Sequence, residues 1–207
     1  MPIGEEKIGD FLDRLAGRTP APGGGAAAAF QVAVAAALLG MAARYTTGGD
    51  AGNEEAIGGI VTKLDELRAI ALRLAEADTE AFAAAASAYR LPDSTAQDRA
   101  ARAAAVTGAL INLTWPSAKV ISLAAMVVDI GGTLAAASGR NLMAEVAAAA
   151  EAARAAVAIA RMNIEINLAG ITDEQASLEM IAETGNAGHI IDRAGQLSDA
   201  VREQIRA

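Results

Sequence analysis

Residues 26–43 read AAAAFQVAVAAALLGMAA, an apolar run interrupted by a single polar side chain, Gln31. A run of this length has to be hidden, either in a bilayer or in the middle of a packed fold. It is dominated by Ala and lacks a basic flank, which predicts a buried helix in a soluble, cytoplasmic protein rather than a membrane span. The same bias holds along the whole chain. Ala is the commonest residue, hydrophobic residues make up 53% and aromatics only 3%. Ala has the highest helix propensity and a small side chain, so closely packed helices are expected. No segment alternates with the period of a strand. The expected fold is therefore all-α: one domain over residues 1–207, a bundle of long antiparallel helices. A single bundle of 207 residues has difficulty burying so much small apolar surface, and a helical homo-oligomer is expected.

Charge and rare residues narrow the chemistry. The net charge is −8 and no Lys/Arg cluster stands out, which argues against nucleic acid as a partner. There is no cysteine, so disulfides, thiolate nucleophiles and thiolate metal sites are excluded. The single histidine, His189, excludes a His-rich metal site and leaves little room for a Ser-His-Asp triad. The first residues, MPIGEEKIGDFLDRL, are polar and acidic, unlike a signal peptide.

Stop signals divide the chain into helices. The first is expected over 5–17, with Ile8, Phe11, Leu12 and Leu15 as its apolar face. The second spans 24–45 and is followed by a loop, TTGGDAGN, over 46–53. A long helix covers 54–89 and ends before Pro92. Ser94 or Thr95 caps a helix to 113, and Pro116 opens the next, to 136. A helix over 141–168 follows. Thr172 and Gln175 form a capping box for the last helix, to 206, with a break near Gly185-Asn186.

One loop asks for more than a turn. TPAPGGG, residues 19–25, places Pro22-Gly23-Gly24-Gly25 at the mouth of the apolar helix. Glycines let a ligand approach the backbone, and a helix start offers unpaired N–H groups. The alternative is that these glycines only allow two helices to cross closely. Asn163 and Asn167 share a helix face at i, i+4; their amides can read a ring edge or bridge helices. Asn141 and Glu145 repeat the spacing. Asp78 shares a face with Phe82, beside Glu76 and Glu80, where an exposed surface aspartate is the ordinary outcome.

Three segments carry a resemblance. FLDRLAGRTPAPGGGAAAA (11–29) resembles the start of the cyclodeaminase domain of formiminotransferase-cyclodeaminase, a family that includes stand-alone bacterial methenyltetrahydrofolate cyclohydrolases. AEADTEAFAAAASAYRLPDSTAQDRAARAAA (75–105) is similar to the family's Asp-x-x-Ala-Phe segment and the Leu-Pro turn after it. MNIEINLAGITDEQ (162–175) is similar to its paired asparagines before a cap. The resemblance implies an elongated homodimer that binds folate near Pro22, Gly23, Gly24 and Gly25. It implies Asp78 as the catalytic acid or base, with Asn163, Asn167, Asn141 and Glu145 as candidate substrate contacts. Two stretches depart from the family pattern. Residues 48–53 lack the usual basic residues, and Glu145 stands where the family has Asp. The implied activity is methenyltetrahydrofolate cyclohydrolase. The alternatives are formiminotetrahydrofolate cyclodeaminase and a non-catalytic folate-binding or repurposed scaffold. No metal and no cofactor beyond the tetrahydrofolate substrate is implied, and neither nucleic acid nor membrane is an expected partner.

Overall fold

The computed structural model describes residues 2–46, 51–137, 139–171 and 173–206. Among them there is no strand. A 3-10 turn at Ile3–Glu5 leads into six helices: α1 Ile8–Ala16, α2 Gly24–Tyr45, α3 Ala51–Ala88, α4 Ala96–Ala137, α5 Met143–Leu168 and α6 Glu174–Arg206. At 42 residues α4 is about 63 Å long, which makes the bundle elongated.

The apolar run is the hub of the fold. α2 packs on α3, α4 and α5, and α6 closes the far side against α5 and α4. Ala26, Ala28, Ala29, Ala35, Ala42 and Ala43 of α2 are fully buried, as are Ala153, Ala156 and Ala160 of α5. Side chains this short let helix backbones approach closely, which is how an aromatic-poor sequence fills its core. Leu39, Leu64, Leu67, Ile121, Val146 and Ile190 supply the bulk. A second, smaller apolar cluster joins Ala85 of α3 to Leu110 and Leu113 of α4 and to Ile171.

Several elements differ from expectation. Of the apolar face expected for the first helix, Phe11 is buried and stacks on Phe30 with ring centroids 5.4 Å apart, whereas Ile8 and Leu12 are exposed. The helix expected to restart at Pro116 does not: α4 runs through that residue, which is buried inside it. A proline inside a helix costs about 3 kcal/mol relative to Ala. Here each side of it is anchored independently. Leu110 and Leu113 sit in the smaller cluster, and Val120, Ile121 and Ala124 in the main core. α6 likewise passes unbroken through Gly185-Asn186, with Ala187, Ile190 and Ala194 buried on its inner face. Of the loop expected over 46–53, residues 47–50 lie outside the described residues and α3 already begins at Ala51. Thr172, expected in the last capping box, also lies outside them; the carboxylate of Asp173 accepts the Ala176 N–H at 2.8 Å. The cap at Thr95 forms reciprocally with Asp98, both bonds measuring 3.0 Å.

Candidate active site

The site forms where the start of α2 meets the middle of α3. Gly23, the residue before α2, is extended at φ −133° and ψ −156°, and no side chain of its own caps the helix. The cap comes from another helix. The Ala26 N–H donates to the carboxylate of Asp78, which is only 6% exposed. A Cβ on Gly25 would lie 1.9 Å from Oδ1 of Asp78 and 2.7 Å from Oδ2. None of the three glycines adopts the left-handed backbone, and only at Gly25 does space require the missing side chain. Gly25 makes room for the carboxylate. A Cβ on Gly23 would meet nothing, and one on Gly24 would rest 3.7 Å from Asn163 Oδ1 and from Ile159.

Around this junction lies a cleft of about 230 Å³. Gly23, Gly24 and Gly25 form one wall, Asp78 and Phe82 a second, and Asn163, Ile166 and Asn167 of α5 a third, with Leu113 of α4 at the back. It adjoins a second compartment of about 350 Å³ that shares Phe82, Leu113, Ile166 and Asn167. Together they fall in the range of small-molecule sites, about 300–1,000 Å³.

The electrostatics centre on one group. Burial raises the Asp78 carboxyl from 3.8 to about 6, partly offset by the hydrogen bond from Ala26. Desolvation penalises the charged form, while a donor at a helix start favours it; here burial is the larger effect. A carboxyl in that range can both accept and return a proton near neutral pH.

The residues singled out in the sequence divide into two groups. Gly23, Gly24, Gly25, Asp78, Asn163 and Asn167 come together in one cleft. Pro22 is buried and does not line it. Asn141 and Glu145 are elsewhere. Glu145 sits in the first turn of α5, eighteen residues or about 27 Å along the helix before Asn163, and Asn141 lies in the 3-10 turn Arg140–Leu142 that precedes α5. Asn141 is exposed, and Oε2 of Glu145 is buried without a partner. Within one chain neither lines the cleft. Arg140 is also committed at that end, donating to the carbonyl of Ile205. Arg161 pairs with Glu165 at 2.7 Å, and exposed His189, Tyr45 and Trp115 do not line the cleft. Sequence reasoning missed the second compartment, whose walls include Tyr89, Leu110 and Gly170. Its signal was available in the four-residue ladder Asp78, Phe82, Ala86 along α3.

A family model described as formiminotransferase-cyclodeaminase matches residues 7–186. The chain belongs to this family. Its members include a methenyltetrahydrofolate cyclohydrolase of Methylorubrum extorquens, 31% identical over 206 residues, which cover 99% of this chain and 98% of that protein. The formimidoyltransferase-cyclodeaminase of Mus musculus is 28% identical over 79% of this chain but only 31% of its own length. The crystal structure of formiminotetrahydrofolate cyclodeaminase from Thermotoga maritima superposes with a TM-score of 0.86 at 26% identity, covering 99% of this chain and 100% of that one. The all-α fold is thus that of a formiminotransferase-cyclodeaminase family member, and the Asp78 cleft lies within the matched residues.

Proposed function

We propose that the protein is a methenyltetrahydrofolate cyclohydrolase. The observation that carries this reading is the buried Asp78 carboxylate, held by the Ala26 N–H at the start of α2 in a cleft walled by glycine backbone and two amides. The near end-to-end similarity to the Methylorubrum extorquens enzyme supports it. In the reaction, water adds to the cationic carbon that bridges N5 and N10. Asp78, as carboxylate, steadies the cation and takes a proton from the attacking water. A neutral tetrahedral carbon results. The C–N5 bond then breaks, Asp78 returns its proton to N5, and the hydroxyl oxygen becomes the formyl carbonyl as its proton passes to solvent. The products are 10-formyltetrahydrofolate and one proton. In this reading Asn163 and Asn167 hold the ring edge, and Gly23 and Gly24 let the flat ring lie against backbone.

The likeness to the Thermotoga maritima structure favours a second reading, cyclodeaminase chemistry. The same carboxylate would shuttle protons while a formimino carbon closes onto N10 and ammonia leaves. In either case we take the substrate to be a tetrahydrofolate derivative with no further cofactor. We read the enzyme as cytoplasmic and homodimeric, with neither nucleic acid nor a membrane as partner. α2 and α4 are apolar and long enough to span a bilayer, but most of the apolar window of α2 is buried inside the fold.

The test is the decay of methenyltetrahydrofolate absorbance above the buffer-catalysed rate. Wild type is expected to accelerate it, and Asp78→Asn to lose at least about a hundredfold of that acceleration, the lower range for a general acid–base group. A wild-type rate at background would overturn the cyclohydrolase reading. Ammonia release from the formimino substrate would then decide for the second.

A further inference from the structure

The second compartment is built unlike the first. Phe82, Tyr89 and Ile166 stand 40%, 50% and 67% exposed around it, with Leu110 and Leu113 buried behind. Large apolar side chains left open to water beside a polar cleft mark a place where an apolar part of a ligand lies. Its direction is set by α3. Asp78, Phe82 and Ala86 follow one another at four-residue intervals and form one ridge, and Arg90 lies in the turn just past the end of α3 at Ala88. The small side chain of Ala86 leaves the floor open between two aromatic rings. Arg90 follows Tyr89, a wall residue of the compartment, in the turn beyond α3. Its Nε–H donates to the carbonyl of Ala86 at 3.0 Å, which holds the guanidinium back towards Ala86, a wall residue of the compartment.

The other arginines of this turn are occupied. Arg102 pairs with Asp93 and donates to the Tyr89 carbonyl, and Arg99 donates to the carbonyls of Asp93 and Ser94. Among the described residues no carboxylate pairs with Arg90. An acid, then an aromatic channel, then a cation with no carboxylate beside it match a ligand with a cationic reacting centre, an aryl ring and a terminal carboxylate.

We propose that the second compartment takes the aminobenzoyl ring of the folate substrate between Phe82 and Tyr89, and that Arg90 binds the glutamate carboxylate beyond it. This rests on the folate reading above. It assigns the tail a partner on the α3–α4 turn, in a chain whose residues 48–53 carry no Lys or Arg.

The experiment compares two substrates, methenyltetrahydrofolate and the matching methenyltetrahydropteroate, which keeps both rings and lacks the glutamate. Arg90→Ala is expected to raise KM for the first about fivefold, the upper range for a partly exposed ion pair, with the effect confined to KM and absent for the pteroate. Arg90→Lys should recover part of the loss. Ala86→Leu, which fills the compartment, should raise KM for both substrates. Unfolding curves of Arg90→Ala matching wild type would separate this from loss of fold. No change in KM on Arg90→Ala, or equal losses with both substrates, would overturn the assignment while wild-type turnover keeps the cyclohydrolase reading. Wild type turning over neither substrate would remove both.

Discussion

Asp78 holds a charge where the fold penalises it, and that has a measurable consequence for stability. Its carboxyl titrates at about 6 in the folded protein against the ordinary 3.8. The folded state therefore binds the proton more tightly than the unfolded state. Below about 3.8 both states are protonated and the carboxyl carries no penalty. As pH rises the unfolded chain ionises first, stability falls, and the full penalty is reached above about 6. A carboxyl displaced that far is destabilising by about 3 kcal/mol as an upper value. Asp78→Asn keeps the shape and an acceptor for the Ala26 N–H but cannot ionise. Denaturant unfolding should show it more stable than wild type at pH 8, with the gap narrowing towards pH 5. Equal or lower stability at pH 8 would mean that Asp78 is not held charged in a desolvated site. The carboxylate proposed above as the acid–base group thus loses stability at the position where it would work. The sequence alone showed Asp78 beside Glu76 and Glu80, with nothing to separate it from a surface acid. Its burial comes from a glycine more than fifty residues earlier, a contact that no local pattern encodes.

The junction between α2 and α3 explains why three glycines open the longest apolar run. Gly25 is the contact point, and Gly25→Ala would place a methyl 1.9 Å from Oδ1 of Asp78. The carboxylate has to move by more than an ångström, because a short side chain on a packed helix has no other way to yield. Displacements of that size cost about a hundredfold in rate. Gly25→Ala is thus expected to lower kcat/KM about a hundredfold while retaining helical circular dichroism; an unchanged rate would separate the loop from the chemistry. At this scale the sequence was readable where signals are local. The bounds of α2 and the Thr95 cap follow from propensity and capping chemistry. Pro116 misled because its cost is local, whereas the packing on either side of it is tertiary. The apolar face of α1 misled in the same way: spacing marks Ile8 and Leu12 as readily as Phe11, but only Phe11 faces Phe30. Asn141 and Glu145 repeat the spacing of Asn163 and Asn167, but Glu145 lies at the opposite end of α5 and Asn141 in the turn before it.

Across the whole molecule, the feature left unexplained by one chain is an uncovered apolar face. On α2, Ala27, Phe30, Ala37 and Leu38 are half-buried, and Val34, Met41 and Tyr45 are exposed. On α5, Ala148, Ala155, Ala158, Met162 and Ile166 are exposed at matching helical spacing. The two stripes adjoin where Gly24 meets Ile159 and Asn163. Mid-stripe, Oε1 of Gln31 is buried without a partner. Two neighbouring helices with apolar stripes on their outward side, that of α5 interrupted by Glu151 and flanked by the Arg161–Glu165 pair, suit a self-complementary interface, in which the same patch serves both subunits. The stripe ends at Ile166, which also lines the cleft, so closure of this face would reduce water at the site as well as bury surface. The homodimer proposed above is expected on this face. Sedimentation equilibrium should give twice the 20.8 kDa of the chain. Val34→Glu with Met41→Glu would place two charges in the apolar contact and should convert the protein to monomer with its helical spectrum intact. Dimers that survive both substitutions would put the interface elsewhere, and a monomeric wild type would leave the α2–α5 face without a homodimeric partner.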